Sequence, residues 1–182
     1  MSRIVRTPEI VGGQARIDST RIRVADVIRL KKVGWKDIDI AKVLLITLED
    51  IKAAEEYYKD HKDEVDRLIE FEDILWEKGF IRKFLKMCEC SDLNEVEDKI
   101  KKGELLEHPT WEEYIKALSC KDSLERKGFS YKKVEKIIKC SNCNLFKKIG
   151  EVCEDVTKLI PDVIDTDERC PECGSKMRVW II

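Results

Sequence analysis

The spacing of apolar positions changes along the first quarter of the chain. Ile22-Arg23-Val24 alternates as a strand does, and Gly12-Gly13 marks a hairpin-type turn between short β segments within residues 4–24. From Val24 the period becomes helical. Val24, Val27, Ile28 and Leu30 share one face, and the helix is expected to stop near Gly34. A second short helix is expected from Lys36 to Leu44, with Ile38, Ile40, Ala41 and Leu44 inward. Thr47-Leu-Glu-Asp50 opens a third, because a threonine followed three residues later by an acid makes a capping box. Ile51, Ala54, Tyr58, Val65, Leu68 and Leu75 then recur at heptad-like spacing, with His61 and Glu72 filling two seam positions. The third helix is therefore expected to run for about 28 residues, on the order of 40 Å, and to stop at Gly79. A rod of that length pairs with a symmetry mate or connects two halves of the protein.

The middle of the chain also reads as helical. Phe80, Ile81, Phe84, Leu85 and Met87-Cys88 form an apolar stretch. Ser91 is expected to cap a helix through about Lys102, ended by Gly103. Pro109-Thr110-Trp-Glu-Glu113 starts another, with Trp111, Tyr114, Ile115 and Leu118 on one face, and Ser130 caps a last helix with Val134, Ile137 and Ile138 inward. Arg178-Val-Trp-Ile-Ile182 closes the chain on strong β formers. The expected fold class is mainly α. A β hairpin plus helix-turn-helix (1–70) leads through a long connecting helix and a helical middle region (71–139) to a small C-terminal three-stranded sheet (140–182).

Charge adds one asymmetry. Charged residues make up 40% of the 182, which favours solvated helices, and the net charge of −2 names no partner. Residues 1–34, however, hold eight Lys/Arg against three acids, a net of +5. A basic end of this kind fits a nucleic-acid footprint or a solvated face. Arg16, Arg21, Arg23, Arg29, Lys31 and Lys32 are the candidates for DNA backbone contacts. The third helix would offer Glu49, Asp50 and Lys52 to a groove, and two acids there repel phosphate.

Cysteine spacing carries the chemistry. Cys140-Ser-Asn-Cys143 and Cys170-Pro-Glu-Cys173-Gly174 are two Cys-x-x-Cys pairs. A tight turn brings both sulfurs of a pair to one side, and two facing turns close a tetrahedral cage for Zn2+. Asn144 and Gly174 follow the pairs, where the backbone needs positive φ. Four cysteines leave no open position for substrate, so the zinc is expected to be structural. Rubredoxin-like iron, disulfides or free thiols are the alternatives. Residues 140–182 are therefore read as a zinc ribbon, with strands or loops expected at 146–156, 159–164 and 176–182. Cys88, Cys90, His108 and Cys120 are candidates for a second metal site, and Cys153 reads as a core or spare thiol. Eight cysteines without an export signal fit a reducing cytoplasm, and no membrane segment is visible. Two histidines, no Gly-rich phosphate loop and no nucleophile with an evident base argue against an enzyme.

The run Ile10-Val-Gly-Gly-Gln-Ala-Arg-Ile-Asp-Ser-Thr-Arg-Ile-Arg-Val24, then Gly34, Leu48-Glu-Asp-Ile51 and Ala53-Ala54, resembles domain-of-unknown-function family four-hundred-thirty-three over residues 4–60. The chain has Ser19 where that family usually has glycine, and no Tyr-Pro within 42–46. The resemblance implies an antitoxin-like, VapB-type hairpin and helix-turn-helix, often dimeric, beside a PIN-like toxin. The expected function is a dimeric, DNA-binding transcriptional regulator. The alternative is a non-enzymatic adaptor that docks on a larger nucleoprotein machine through the ribbon and the helical middle.

Overall fold

A computed structural model describes residues 3–152 and 163–182. Cys153 and most of the expected 159–164 segment lie outside them. The chain divides into two compact units. The first comprises Met1–Glu70, Lys139–Phe146 and Asp165–Arg178; the second comprises Phe71–Ile138, Lys147–Ile164 and Val179–Ile182.

The first unit opens with strands β1 (Ile4–Val5) and β2 (Arg16–Ile17), antiparallel with Ile4 opposite Ile17. Their connection winds through Val11, Gly12 and Gly13, all at positive φ (45°, 66° and 76°). Glycine takes that conformation freely, but a β-branched valine does so only under restraint. Helices α1 (Val24–Lys32), α2 (Asp37–Leu44) and α3 (Leu48–Asp60) follow. The expected capping box is present: Thr47 Oγ1 accepts from Asp50 N at 3.2 Å, and the Asp50 carboxylate accepts from Thr47 N at 3.0 Å. Ser19, in the place of the family's glycine, has φ 58°, and its N–H donates to Asp18 Oδ1 at 2.7 Å.

Helix α3 does not become a long rod. It ends at Asp60, His61 leaves the helical region (φ −124°, ψ 32°), and α4 (Lys62–Met87) starts in a new direction. The His61 ring stacks on Tyr57 at 3.9 Å. The break lets Ile51 and Ala54 of α3 share one core with Val65, Leu68 and Ile69 of α4, together with Ile17, Val24, Val27, Ile28 and Ile40. A straight helix would carry those two groups apart. Burial therefore overrides the heptad pattern, and Gly79 is passed without a stop. Ile38, expected inward, is exposed.

The second unit takes α4 from Phe71 onward, α5 (Leu93–Lys101) and α6 (Glu107–Arg126). Asp92 rather than Ser91 caps α5, accepting from Asn94 N and Glu95 N. On α6 the buried face is Tyr114, Ala117 and Leu124, while Trp111 and Ile115 point outward.

The mainly-α expectation with a three-stranded ribbon is corrected by the C-terminal part. Strands β3 (Val134–Cys140), β4 (Phe146–Val152), β5 (Val163–Arg169) and β6 (Lys176–Ile181) form a four-stranded sheet in the order β4-β3-β6-β5. With six helices and two sheets among the described residues, the fold is mixed. The expected helix after Ser130 is strand β3. Ile137 and Ile138 are both buried there, so the strand lacks the alternation that would have marked it. Inside this unit Lys78 and Glu135, 1% and 0% exposed, form an ion pair at 2.5 Å. Lys78 also donates to the carbonyls of Lys133 and Ile182, and Glu135 also accepts from Lys148 and from Ser130 N.

Candidate metal centre

Each Cys-x-x-Cys pair sits on a hairpin turn, between β3 and β4 and between β5 and β6. The turns close in the same way: Cys140 N donates to Leu145 O at 2.8 Å and Cys170 N to Ser175 O at 2.9 Å. Asn144 (φ 58°) and Gly174 (φ 70°) hold the left-handed position the spacing predicts. The sulfurs of Cys140, Cys143, Cys170 and Cys173 all lie within 4.8 Å of one another. Across the knuckles, Cys140 and Cys173 are 3.5 Å apart, as are Cys143 and Cys170. A tetrahedral ion with metal–sulfur bonds of about 2.3 Å needs sulfurs about 3.8 Å apart, so the donor set fits a metal ion. Asn142 N donates to Cys140 Sγ at 3.3 Å, the kind of second-layer bond that orients a thiolate.

The thiols themselves ask for a cation. Burial pushes Cys143 and Cys140 above the ordinary thiol range. Exposed Cys173 is lowered to about 6 by hydrogen bonding, chiefly with the Ser175 side chain. Four packed thiols cannot all ionise without a counter-charge. A bound dication would hold all four as thiolates and release protons on binding.

Both knuckles are tied to the helical part of the first unit. Asn144 is fully buried and exchanges two hydrogen bonds with buried Gln14, each 3.1 Å. Lys139 Nζ donates to the same Asn144 Oδ1 at 2.8 Å, and Asn144 Nδ2 reaches Glu64 O at 3.4 Å. Arg6 donates to Gly13 O and to Asn142 O and pairs with Glu64 at 3.0 Å. The second knuckle's Glu172 is clasped by both terminal nitrogens of Arg67. Sequence reasoning missed Gln14, Arg6 and Arg67, and it assigned Asn144 only its backbone role. Polar residues of these types carry no signal until the topology brings them together.

The other candidates are placed differently. Among the described residues, no other group of His, Cys, Asp or Glu side chains is close enough to share an ion, so Cys88, Cys90, His108 and Cys120 are not assembled. Of the six predicted DNA contacts, Arg16 is buried and donates to Thr7 Oγ1 and Thr20 O. Arg23 is bound to Asp26 across the start of α1, and Arg29 donates to Ile69 O. Lys31 pairs with Asp37 and Glu55, and Lys32 with Asp66. Only Arg21 of the six is exposed and uncommitted among the described residues.

A short hairpin, three helices and a metal-ready cluster of four cysteines thus form one unit. Over residues 4–58 the chain matches the family model "Protein of unknown function (DUF433)". A solved structure, a DUF433 member protein from Anabaena variabilis ATCC 29413 at 2.00 Å resolution, is 36% identical over a match covering 38% of this chain and 69% of that one, with a TM-score of 0.37. The chain belongs to the DUF433 family. No curated protein matches it. No helix among the described residues is long and apolar enough to cross a membrane.

Proposed function

We propose that the chain is a non-enzymatic, antitoxin-like regulator that works by binding a protein partner through the α2 side of its DUF433 unit, with a structural zinc ion in the four-cysteine cluster. The carrying observation is Leu45. It is 89% exposed and sits at φ 56° in the left-handed cap of α2, a position usually given to glycine or asparagine. A leucine there costs roughly 1–2 kcal/mol and does nothing for the core. Val33, Trp35, Ile38, Val43 and Leu48 are also exposed along residues 33–48. Exposed apolar side chains concentrated this way mark a binding surface. The PIN-like toxin implied by the family is the first candidate partner, and a larger assembly is the second. Zinc is the favoured ion because four thiolates make a closed, soft, tetrahedral site.

Co-purification from the native host tests the reading. Wild-type protein retains a stoichiometric partner, and the Ile38→Glu/Leu45→Glu variant loses it while keeping its metal and helical content. Equal retention by both contradicts the proposal.

DNA binding is the second reading, favoured by the helix-turn-helix order of α1–α3 and by exposed Arg21, Lys36 and Lys42. Against it, the cations expected to meet phosphate are mostly engaged within the fold, and the outer side of α3 presents Glu49, Glu56 and Asp60 beside Lys52. A gel-shift titration on the protein's own promoter across salt separates the two readings. A retarded band that weakens steeply with salt supports DNA.

A further inference from the structure

The knuckles do more than close a metal cage, because their outer surfaces complete the DUF433 hairpin. The loop from Thr7 to Ala15 holds three successive residues at positive φ, one of them Val11. Strain of that kind persists only where the surroundings over-determine the backbone. To the loop's own backbone bonds, Ile10 N to Thr7 O and Gly13 N to Ile10 O at 3.0 Å, the first knuckle adds further restraints. Gln14, at the end of the loop, has both ends of its amide engaged by Asn144. One guanidinium, that of Arg6, joins the loop (Gly13 O, 3.0 Å), the knuckle (Asn142 O, 2.8 Å) and α4 (Glu64, 3.0 Å). Further along α4, Arg67 holds the second knuckle.

Removing the ion leaves the two turns joined by hydrogen bonds alone, among them the sulfur contacts Cys140–Cys173 and Cys143–Cys170 at 3.5 Å and Ser141 Oγ to Lys176 O at 3.2 Å. Such bonds are far weaker than four metal–sulfur bonds, so without the clamp the knuckles can leave the hairpin. If they do, the buried Gln14 amide loses its partner, and a buried polar group without one is costly. We infer that metal occupancy of Cys140, Cys143, Cys170 and Cys173 is thermodynamically coupled to the hairpin and the first turns of α4. Loading locks the DUF433 unit and stripping loosens it, which makes this a metal-responsive regulator. The inference rests on the metal reading of the cluster. Coupling is reciprocal, so weakening the Gln14–Asn144 lock must also weaken metal binding.

Hydrogen–deuterium exchange on the full chain, zinc-loaded against chelator-stripped, with zinc per chain measured in parallel, tests this. Stripping is expected to raise exchange at residues 6–17 and 61–70 as well as at 139–146 and 165–178. Gln14→Ala, which leaves all four sulfurs in place, is expected to take up one zinc per chain with affinity lowered about 5- to 50-fold in a chelator competition. Its exchange at 6–17 is expected to be fast with or without zinc. Exchange that rises only at 139–146 and 165–178, or a Gln14→Ala chain with wild-type zinc affinity, overturns the coupling while leaving the metal site standing. A wild-type chain that takes up no zinc overturns both.

Discussion

Each unit has a buried polar pair that ties distant segments together, and the two pairs differ in charge. The first unit hides a neutral amide pair, Gln14 with Asn144, touched by one ammonium. The second hides full charges, Lys78 with Glu135. A neutral pair loses little when desolvated, provided that both ends are matched. A buried ion pair is held against a much larger desolvation cost, and removing one partner strands the other. In keeping with this, burial pushes the Lys78 ammonium below its ordinary range despite the hydrogen bond to Glu135. The first unit is thus a latch that opens at modest cost, and the second is a pin that does not.

The comparison is broken most severely at the pin. Glu135→Leu strands Lys78 and is expected to destabilise the chain by about 3–5 kcal/mol in denaturant unfolding, with most of the loss recovered in the Lys78→Met/Glu135→Leu double variant. Failure of the double variant to recover makes the two residues independent. At the latch, Asn144→Ala removes the amide from a position at positive φ, and a loss of about 2–3 kcal/mol is expected. The first unit's rim ion pairs sharpen the contrast through pH. Burial raises Asp50 and Asp66, but hydrogen bonds from Thr47 and Arg3 to one, and from Lys32, Tyr58 and Lys62 to the other, outweigh it and hold both below 3.8. A carboxylate with a lowered folded value contributes stability that is complete above the unfolded value and is lost as pH falls through the folded one. Stability of the first unit should therefore decline below about pH 4, and Asp66→Asn should flatten that limb. The smallest effect is a gain: Ser19→Gly relieves a left-handed serine and should raise stability by up to about 1 kcal/mol, read as a shift in unfolding midpoint at unchanged slope.

What could be read from residues alone follows the same division. Local signals were legible: the Thr47 cap, the α1 period, the two Cys-x-x-Cys turns and the left-handed Asn144 and Gly174. Each depends on residues within a few positions of one another. The bend at His61 was hidden because heptad spacing describes a straight rod and a bent pair equally well until the core decides. Strand β3 was hidden because Val134, Ile137 and Ile138 fit a helical period, and one of its two sheet neighbours, β6, lies some 40 residues on. The basic bias of the first 34 residues was real, but the acids that neutralise it, Asp37, Glu55 and Asp66, lie beyond the window in which it was counted. The Gln14–Asn144 lock spans 130 positions and has no local signature.

The central claim is that the four sulfurs hold an ion that organises the first unit. Elemental analysis of protein purified without chelator, combined with native mass, tests it most directly. The account predicts one zinc per chain, lost on Cys140→Ser or Cys170→Ser together with the cooperative unfolding of the first unit. Metal-free protein whose first unit melts as sharply as before would contradict it.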